Sequence, residues 1–484
     1  MAVGCLFVAF ALCAALMPAQ NDTFWHLRAG ADIWRTGAVP RVDHYSHTFP
    51  GAPWPDHEWL AQVLMFGAYR LAGMPGLQLA AAALLLGAVV LTWRLMVGPP
   101  ATRAVVMTIG LVLSSSVWAL RPHVLSLFLL AVLLTMVVRE RYRLIPLLFV
   151  LWANAHGGVV LGGLALATAF AVAALRWRRS RDPADARRAR VLAVVVALSG
   201  LACAASPLGF SIYRFVVEST GRSIAIGITE WFPLLPTDRF GVLFWAIMLV
   251  WLGLLVHRRR ELAGGRCSSW ADWVTVATAL MMLPLAIRSA RNTGPFVLLA
   301  VVAANRLLGA DFRFRAVVER LRRPRLPAKP PAPDRPRLNL ALLAIVSIAA
   351  VAAIGVVFRF GDALLGWRPI SDGALAATRA CDGPLYNRYG DGGTLIWFLP
   401  DRPVFVDGRQ DPYPLPFLLE AVALEARRKP YLHLFDQWRI RCAFLPADSE
   451  TAADLTRDGW AVRFKDDKWQ VLAAPAVPAA PQRR

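Results

Sequence analysis

The sequence predicts a mainly α-helical fold: a polytopic transmembrane bundle of about eleven spans, followed by a small α/β domain. Three observations carry this. Hydrophobic residues make up 57% of the chain and charged residues only 18%, with a mean hydropathy of +0.48, where a soluble protein carries about 25% charged residues. Apolar runs close to the length needed to span a bilayer recur along most of the chain. Lysine and arginine are concentrated in alternate loops between those runs, as membrane topology requires.

Taken in order, the spans fall at 2–19, 75–95, 104–119, 122–138, 143–155, 157–175, 190–206, 240–256, 270–287, 294–307 and 338–357. The first run ends in Met17-Pro18-Ala19 and lacks a basic leader and a small-residue cleavage site, so it reads as an uncleaved helix. The segment 59–72 is apolar but short and reads as an interfacial helix. With the N-terminus in the cytoplasm, the internal loops 94–103, 139–143, 176–190, 257–266 and 306–337 hold 26 Lys and Arg. The external segments 20–74, 120–123, 207–239 and 288–293 hold ten. An odd number of spans then places the tail outside. The expected organisation is a bundle over 1–307 with an external loop 20–74, a basic Pro-rich cytoplasmic linker 308–337, a last helix 338–357, and an extracytoplasmic α/β domain 358–484. The expected location is a bacterial inner membrane.

In the tail, Pro403–Val406 and Cys442–Leu445 read as buried strands, and Phe417–Arg427 and Thr451–Arg457 as helices. The linker, with its run Arg322-Arg323-Pro324-Arg325, is extended and suited to anionic headgroups. The net charge of +21 would suggest nucleic acid on a soluble chain. Here its place between spans assigns it to topology, and no nucleic-acid motif is present. Of the six cysteines, Cys381 and Cys442 alone share the tail. Sequence does not decide whether they pair.

The polar island after the first span is the chemical centre of the sequence. Four of the eight histidines, His26, His44, His47 and His57, lie in it, with Asp22, Asp43, Asp56 and Glu58. Arg121, Asn154, His156, Glu230, Arg288, Arg291 and Asn292 fall in other turns on the same side of the membrane. Titratable groups gathered at one mouth of a bundle mark a functional site. Each has a plainer reading. Asp22 could cap a helix starting at Thr23, and Asp56-His57-Glu58 could cap one at Trp59. Asn154 and His156 could satisfy broken backbone at Gly157-Gly158. Arg288 and Arg291 could snorkel to headgroups, and Asp407-Gly408-Arg409 could be a turn with an internal ion pair. Their shared sidedness favours chemistry.

That chemistry is group transfer from a lipid phosphate. Nucleotide sugars are not supplied outside the cytoplasm, so a sugar donor there would be membrane-borne. Arginine suits the departing phosphate through its planar fork, with Arg121, Arg288 and Arg291 as candidates. A carboxylate must deprotonate the acceptor hydroxyl or hold a metal that does. Asp22, directly after a membrane helix, is the first choice, with Asp56 and Glu58 next. His26, Asp43, His44, His57, Asn154, His156, Glu230 and Asn292 are candidates for binding substrate.

Asp22-Thr23-Phe24-Trp25-His26-Leu27, the Pro40-x-x-Asp43 turn and the Trp54-x-Asp56-x-Glu58-Trp59 run resemble a group of bacterial multi-spanning proteins related to the GT-C glycosyltransferase superfamily. So do Trp152-Ala153-Asn154-Ala155-His156-Gly157-Gly158, Glu230-Trp231, Arg291-Asn292, Asp391-Gly392-Gly393 and Asp407-Gly408-Arg409. The resemblance implies a membrane glycosyltransferase using a polyprenyl-phosphate-linked sugar donor, with membrane lipid as its other partner. It implies a catalytic or metal-linked carboxylate at Asp22, and hence a divalent metal ion as a candidate cofactor. Many members of the superfamily have an acidic pair at that point; here Thr23 follows Asp22. The alternative function is a non-enzymatic scaffold, or a transporter or flippase for envelope polysaccharide. A transporter would carry ionisable groups near mid-span, and the predicted spans hold almost none.

Overall fold

A computed structural model describes residues 1–264, 269–309, 312 and 335–475, and the chain divides into two compact units. One comprises Met1–Met17, Leu71–Val217 and Ile228–Arg359; the other comprises Pro18–Arg70, Glu218–Gly227 and Phe360–Arg484. The linker 308–337 lies almost wholly outside the described residues.

The helices are α1 Ala2–Ala15, α2 Asn21–Thr36, α3 Trp59–Leu95, α4 Pro100–Ser114, α5 His123–Val138, α6 Ile145–Ala153, α7 Val159–Ser180, α8 Pro183–Ala202, α9 Ile212–Ala225, α10 Arg239–Gly264, α11 Trp270–Arg288, α12 Thr293–Leu308 and α13 Pro336–Arg359. Each of the eleven apolar segments is helical. Among the described residues, six helices are long and apolar enough to cross a membrane: α3, the run Pro100–Val117, α7, α10, α11 and α13. α1, α5 and Tyr142–Ala153 are shorter apolar helices. Length and hydropathy therefore qualify fewer crossings than the eleven expected. The chain is a multi-pass membrane protein, and its mainly helical class stands.

The expected split between 59–72 and the following span is present as a break inside α3. Ala72 and Gly73 leave helical geometry, Gly73 at φ 62°, a conformation that glycine adopts without a Cβ penalty. In the bundle unit, arginines of the basic loops find carboxylates. Asp185, fully buried, accepts Arg176 at 3.2 Å and Arg188 at 2.9 Å. Asp272 accepts Arg306 at 2.7 Å. Burying a carboxylate is costly unless it is paired, so these arginines do more than set topology.

The second unit contains a four-stranded sheet of order β1-β2-β4-β3, with β1 Leu385–Tyr386, β2 Cys442–Pro446, β3 Ala461–Lys465 and β4 Trp469–Ala473. β1 runs parallel to β2, and the other pairs are antiparallel. Helices Leu415–Glu425 and Glu450–Arg457 stand where the sequence predicted them. Pro403–Val406 is not a ladder strand. It pairs with the first loop instead, through an isolated bridge between Ser46 and Val404. Val404 N–H donates to Tyr45 O at 2.9 Å and His47 N–H to Val404 O at 3.0 Å. The Thr48 hydroxyl donates to Phe405 O at 2.8 Å.

The core of this unit combines Trp25, Ala29, Tyr45 and Trp54 of the first loop with Leu385, Leu395, Val404, Phe444 and Val471 of the tail. The sequence drew the tail as a domain of its own that packs over the first loop. The structure groups it with 18–70 and 218–227, because apolar faces on both segments cover each other. Cys381 and Cys442 form a disulfide.

Candidate functional site

In the bundle unit, four connections bring charged side chains together. Glu230, in the turn Thr229–Trp231, lies between two guanidiniums. It accepts Arg121 Nη2 at 2.8 Å, and Arg291 Nη1 at close range. Arg291 also lies over the Trp231 ring, 5.1 Å from its centroid. Burial pushes the Glu230 carboxyl up, but the charges of Arg291 and Arg121 outweigh it and bring it down to about 2. The turn is fixed from behind: Ser289 Oγ donates to Glu230 O at 3.0 Å, and Ala290 N–H to Phe232 O at 2.9 Å.

His156 faces the same guanidinium. Its Nδ1 accepts the Gly158 N–H at 2.9 Å and lies 2.8 Å from Ser126 Oγ, which itself accepts Trp152 Nε1 at 2.7 Å. His156 Nε2 lies 3.4 Å from Arg291 Nη2.

In the second unit, Asp22 sits in the first turn of α2 and accepts Trp25 Nε1 at 3.2 Å. It is not the cap of a helix starting at Thr23. The helix starts at Asn21, Gln20 holds the N-cap position, and Gln20 N–H donates to Thr23 Oγ1 at 3.0 Å. His26, buried against the Trp25 ring, places Nε2 3.8 Å from the Glu58 carboxylate. Asp56 is 2% exposed. Its Oδ1 accepts Glu58 N–H at 3.2 Å and Gln62 Nε2 at 2.9 Å, while Oδ2 has no hydrogen-bond partner among the described residues. Burial pushes Asp56 up to about 7 and the neighbouring His57 down to about 4.

Other predicted residues serve the architecture. Asp43 is fully enclosed and pairs with Arg409 at 2.7 Å. Asn154 donates its amide to Val150 O at 2.8 Å and Ala205 O at 2.6 Å, closing the end of α6. Asn292 donates to Leu285 O at 3.3 Å across the α11–α12 turn. Arg288 ends α11 and is exposed, and among the described residues it is in none of the contacts around Glu230. His44 is half exposed, its Nε2 3.7 Å from Asp32.

Sequence reasoning missed Asp32, which binds Arg28 at 2.9 Å, Arg35 at 3.3 Å and the Tyr45 hydroxyl at 2.8 Å. Its spacing of four and three residues from those arginines on one helix was a legible signal. Among the described residues, no group of three or more His, Cys, Asp or Glu is gathered as a metal ion requires.

The fold has counterparts among solved structures. Among solved structures, the chain is similar to ArnT from Cupriavidus metallidurans bound to undecaprenyl phosphate, at 15% identity and a TM-score of 0.50, over 99% of both chains. It is similar to the same protein in the apo state at 17% identity and a TM-score of 0.52, over 97% of both. It is also similar to the oligosaccharyltransferase AglB from Archaeoglobus fulgidus in complex with an inhibitory peptide and a dolichol-phosphate. There the identity is 10% and the TM-score 0.53, over 94% of this chain and 70% of that one. At such identities the likeness is one of fold. No family model and no curated protein matches the chain.

Proposed function

We propose that the chain is an integral-membrane glycosyltransferase of GT-C type. It moves a sugar from a polyprenyl-phosphate-linked donor to an envelope acceptor on the extracytoplasmic side of a bacterial inner membrane. The observation that carries this reading is the convergence of Arg121 and Arg291 on Glu230, with His156 beside Arg291. Two guanidiniums against one carboxylate leave net positive charge, suited to a phosphate headgroup. The lipid carriers bound in the two structural neighbours support the same class of donor. The disulfide between Cys381 and Cys442 supports an oxidising, extracytoplasmic setting for the tail.

The reaction needs two roles. A base takes the proton of the acceptor hydroxyl as its oxygen attacks the anomeric carbon. The bond from that carbon to the phosphate oxygen breaks, and polyprenyl phosphate leaves with the electron pair. Asp22 is the proposed base. Arg121 and Arg291 are the proposed stabilisers of the leaving phosphate. Charge aimed at a developing anion in a site poor in water is usually the largest catalytic contribution.

Binding of undecaprenyl phosphate and of neutral undecaprenol to the full chain in lipid nanodiscs tests this. The phosphate form should bind more tightly, and Arg121→Ala or Arg291→Ala should weaken it roughly tenfold or more, as loss of a charge-assisted hydrogen bond predicts. Equal binding of both lipids, unchanged in the variants, would refute the phosphate assignment.

A further inference from the structure

Two glycine motifs of the tail, Asp391-Gly392-Gly393 and Asp407-Gly408-Arg409, lie against the start of α2. A Cβ on Gly408 would stand 2.5 Å from Asp22 Oδ1 and 3.6 Å from Asn21 Nδ2. A Cβ on Gly393 would stand 2.6 Å from Asn21 O and 2.8 Å from Trp25 Cδ1. Thr394 N–H donates to Asn21 Oδ1 at 2.9 Å. Only glycine lets backbone come this close.

Gly408 is itself held. Its carbonyl accepts the Tyr389 hydroxyl at 3.2 Å. Its neighbours Asp407 and Arg409 are locked by a two-point ion pair, with Nε–Oδ1 at 2.8 Å and Nη2–Oδ2 at 2.7 Å. Arg409 reaches on to Asp43 at 2.7 Å. Oδ1 of Asp22 thus meets two fixed features, the Trp25 indole N–H and the bare Gly408 backbone.

We infer that Gly408, braced by Tyr389, is a positioning residue for Asp22, so that the tail is part of the catalytic apparatus. This rests on the proposed role of Asp22. A methyl group at 408 meets the end of a mobile side chain, so the fold can accommodate it, but only by turning the carboxylate away from its place. A misplacement of about 1 Å can cost roughly a hundredfold in rate.

The test is sugar transfer in membranes that contain the full chain. A lipid extract of the native host serves as donor, and its envelope fraction as acceptor. Gly408→Ala should lower the maximum rate about tenfold or more, with the half-saturating amount of extract and the abundance in the membrane unchanged. Gly390→Ala, where nothing lies within 4 Å of the added methyl, should transfer like the wild type. On the Asp22→Asn background, Gly408→Ala should change the residual rate no further, which a merely structural defect would not reproduce.

Should Gly408→Ala fail to accumulate, Tyr389→Phe decides. It removes the hydroxyl that bonds Gly408 O and the Gln410 side chain, keeps the ring, and should lower the maximum rate several-fold only while Asp22 is present. Wild-type transfer by Gly408→Ala, or equal losses on both backgrounds, overturns this inference alone, provided Asp22→Asn is impaired. For Tyr389→Phe the same two results overturn it. Undiminished transfer by Asp22→Asn overturns the functional reading and this inference with it.

Discussion

Replacing Arg409 with leucine should unfold the mixed unit well before the bundle. The side chain is wholly buried, with Nη2 at 2.7 Å from both Asp43 and Asp407. Its guanidinium lies 4.8 Å from the Tyr45 ring and 4.5 Å from that of Trp54. One cation therefore ties the first loop to the tail. Leucine leaves Asp43 and Asp407 charged and enclosed, with Ser46, Tyr45 N–H and Tyr413 still hydrogen-bonded to them. Breaking a buried pair from one side costs about 3–5 kcal/mol. Loss of the ring contacts adds roughly 1–2 kcal/mol, partly offset by burial of the leucine. A net loss of about 4 kcal/mol lowers the midpoint by roughly 8–16 °C for a unit of this size. Thermal unfolding of the purified protein in detergent, followed by tryptophan fluorescence, reads this. Arg409→Leu within about 1 kcal/mol of the wild type, where surface substitutions fall, would refute the reasoning.

Three further outcomes follow from the geometry. Burial holds Asp56 protonated up to about pH 7 instead of 3.8. The folded state therefore binds the extra proton in that window, and stability falls as pH rises through it, by about 1.4 kcal/mol per unit. Asp56→Asn should flatten this fall in pH-dependent melting and stabilise the protein at pH 8; His57, whose shift has the opposite sign between 4 and 6.5, is common to both proteins. The buried Asp411 and Glu425, also raised to about 7, are common to both proteins as well, and an unchanged pH profile would contradict the burial of Asp56. Cys381→Ser should cost about 2–4 kcal/mol and abolish the mobility shift that reductant causes on a non-reducing gel. Reporter fusions after Arg190 and after Gly361 should lie on opposite sides of the membrane, and the same side for both would overturn the topology.

Hydropathy made the helices legible, because a bilayer imposes length and apolarity on each one separately. It could not show how many cross, since short helices such as α6 fall below the length that decides the matter. Sidedness grouped Arg121, His156, Glu230 and Arg291, and the structure brings these four together. The same argument also gathered Asn154, Asn292 and Arg288. The first two are occupied with backbone carbonyls, and the third lies apart, because a shared side does not specify which way a side chain turns. The sequence placed the tail over the first loop, but the contacts that join the two were not legible. They rest on complementary faces, such as Tyr45 and Trp54 against Arg409, and on bare backbone at Gly393 and Gly408. Neither has a periodic signature. The Asp407–Arg409 ion pair was legible because its two-residue spacing is local, whereas its link to Asp43 depends on the fold.

Sugar transfer by Asp22→Asn tests the central claim most directly. Asparagine keeps the shape beside Gly408, and its amide oxygen can still accept the Trp25 N–H, so folding and membrane abundance should be preserved. Removing the negative charge and basicity should lower transfer by roughly a hundredfold or more, the range of a lost general base. In a deletion strain, the envelope glycan should then fail to return at normal protein level. Full restoration of the glycan by Asp22→Asn at that level would contradict the account.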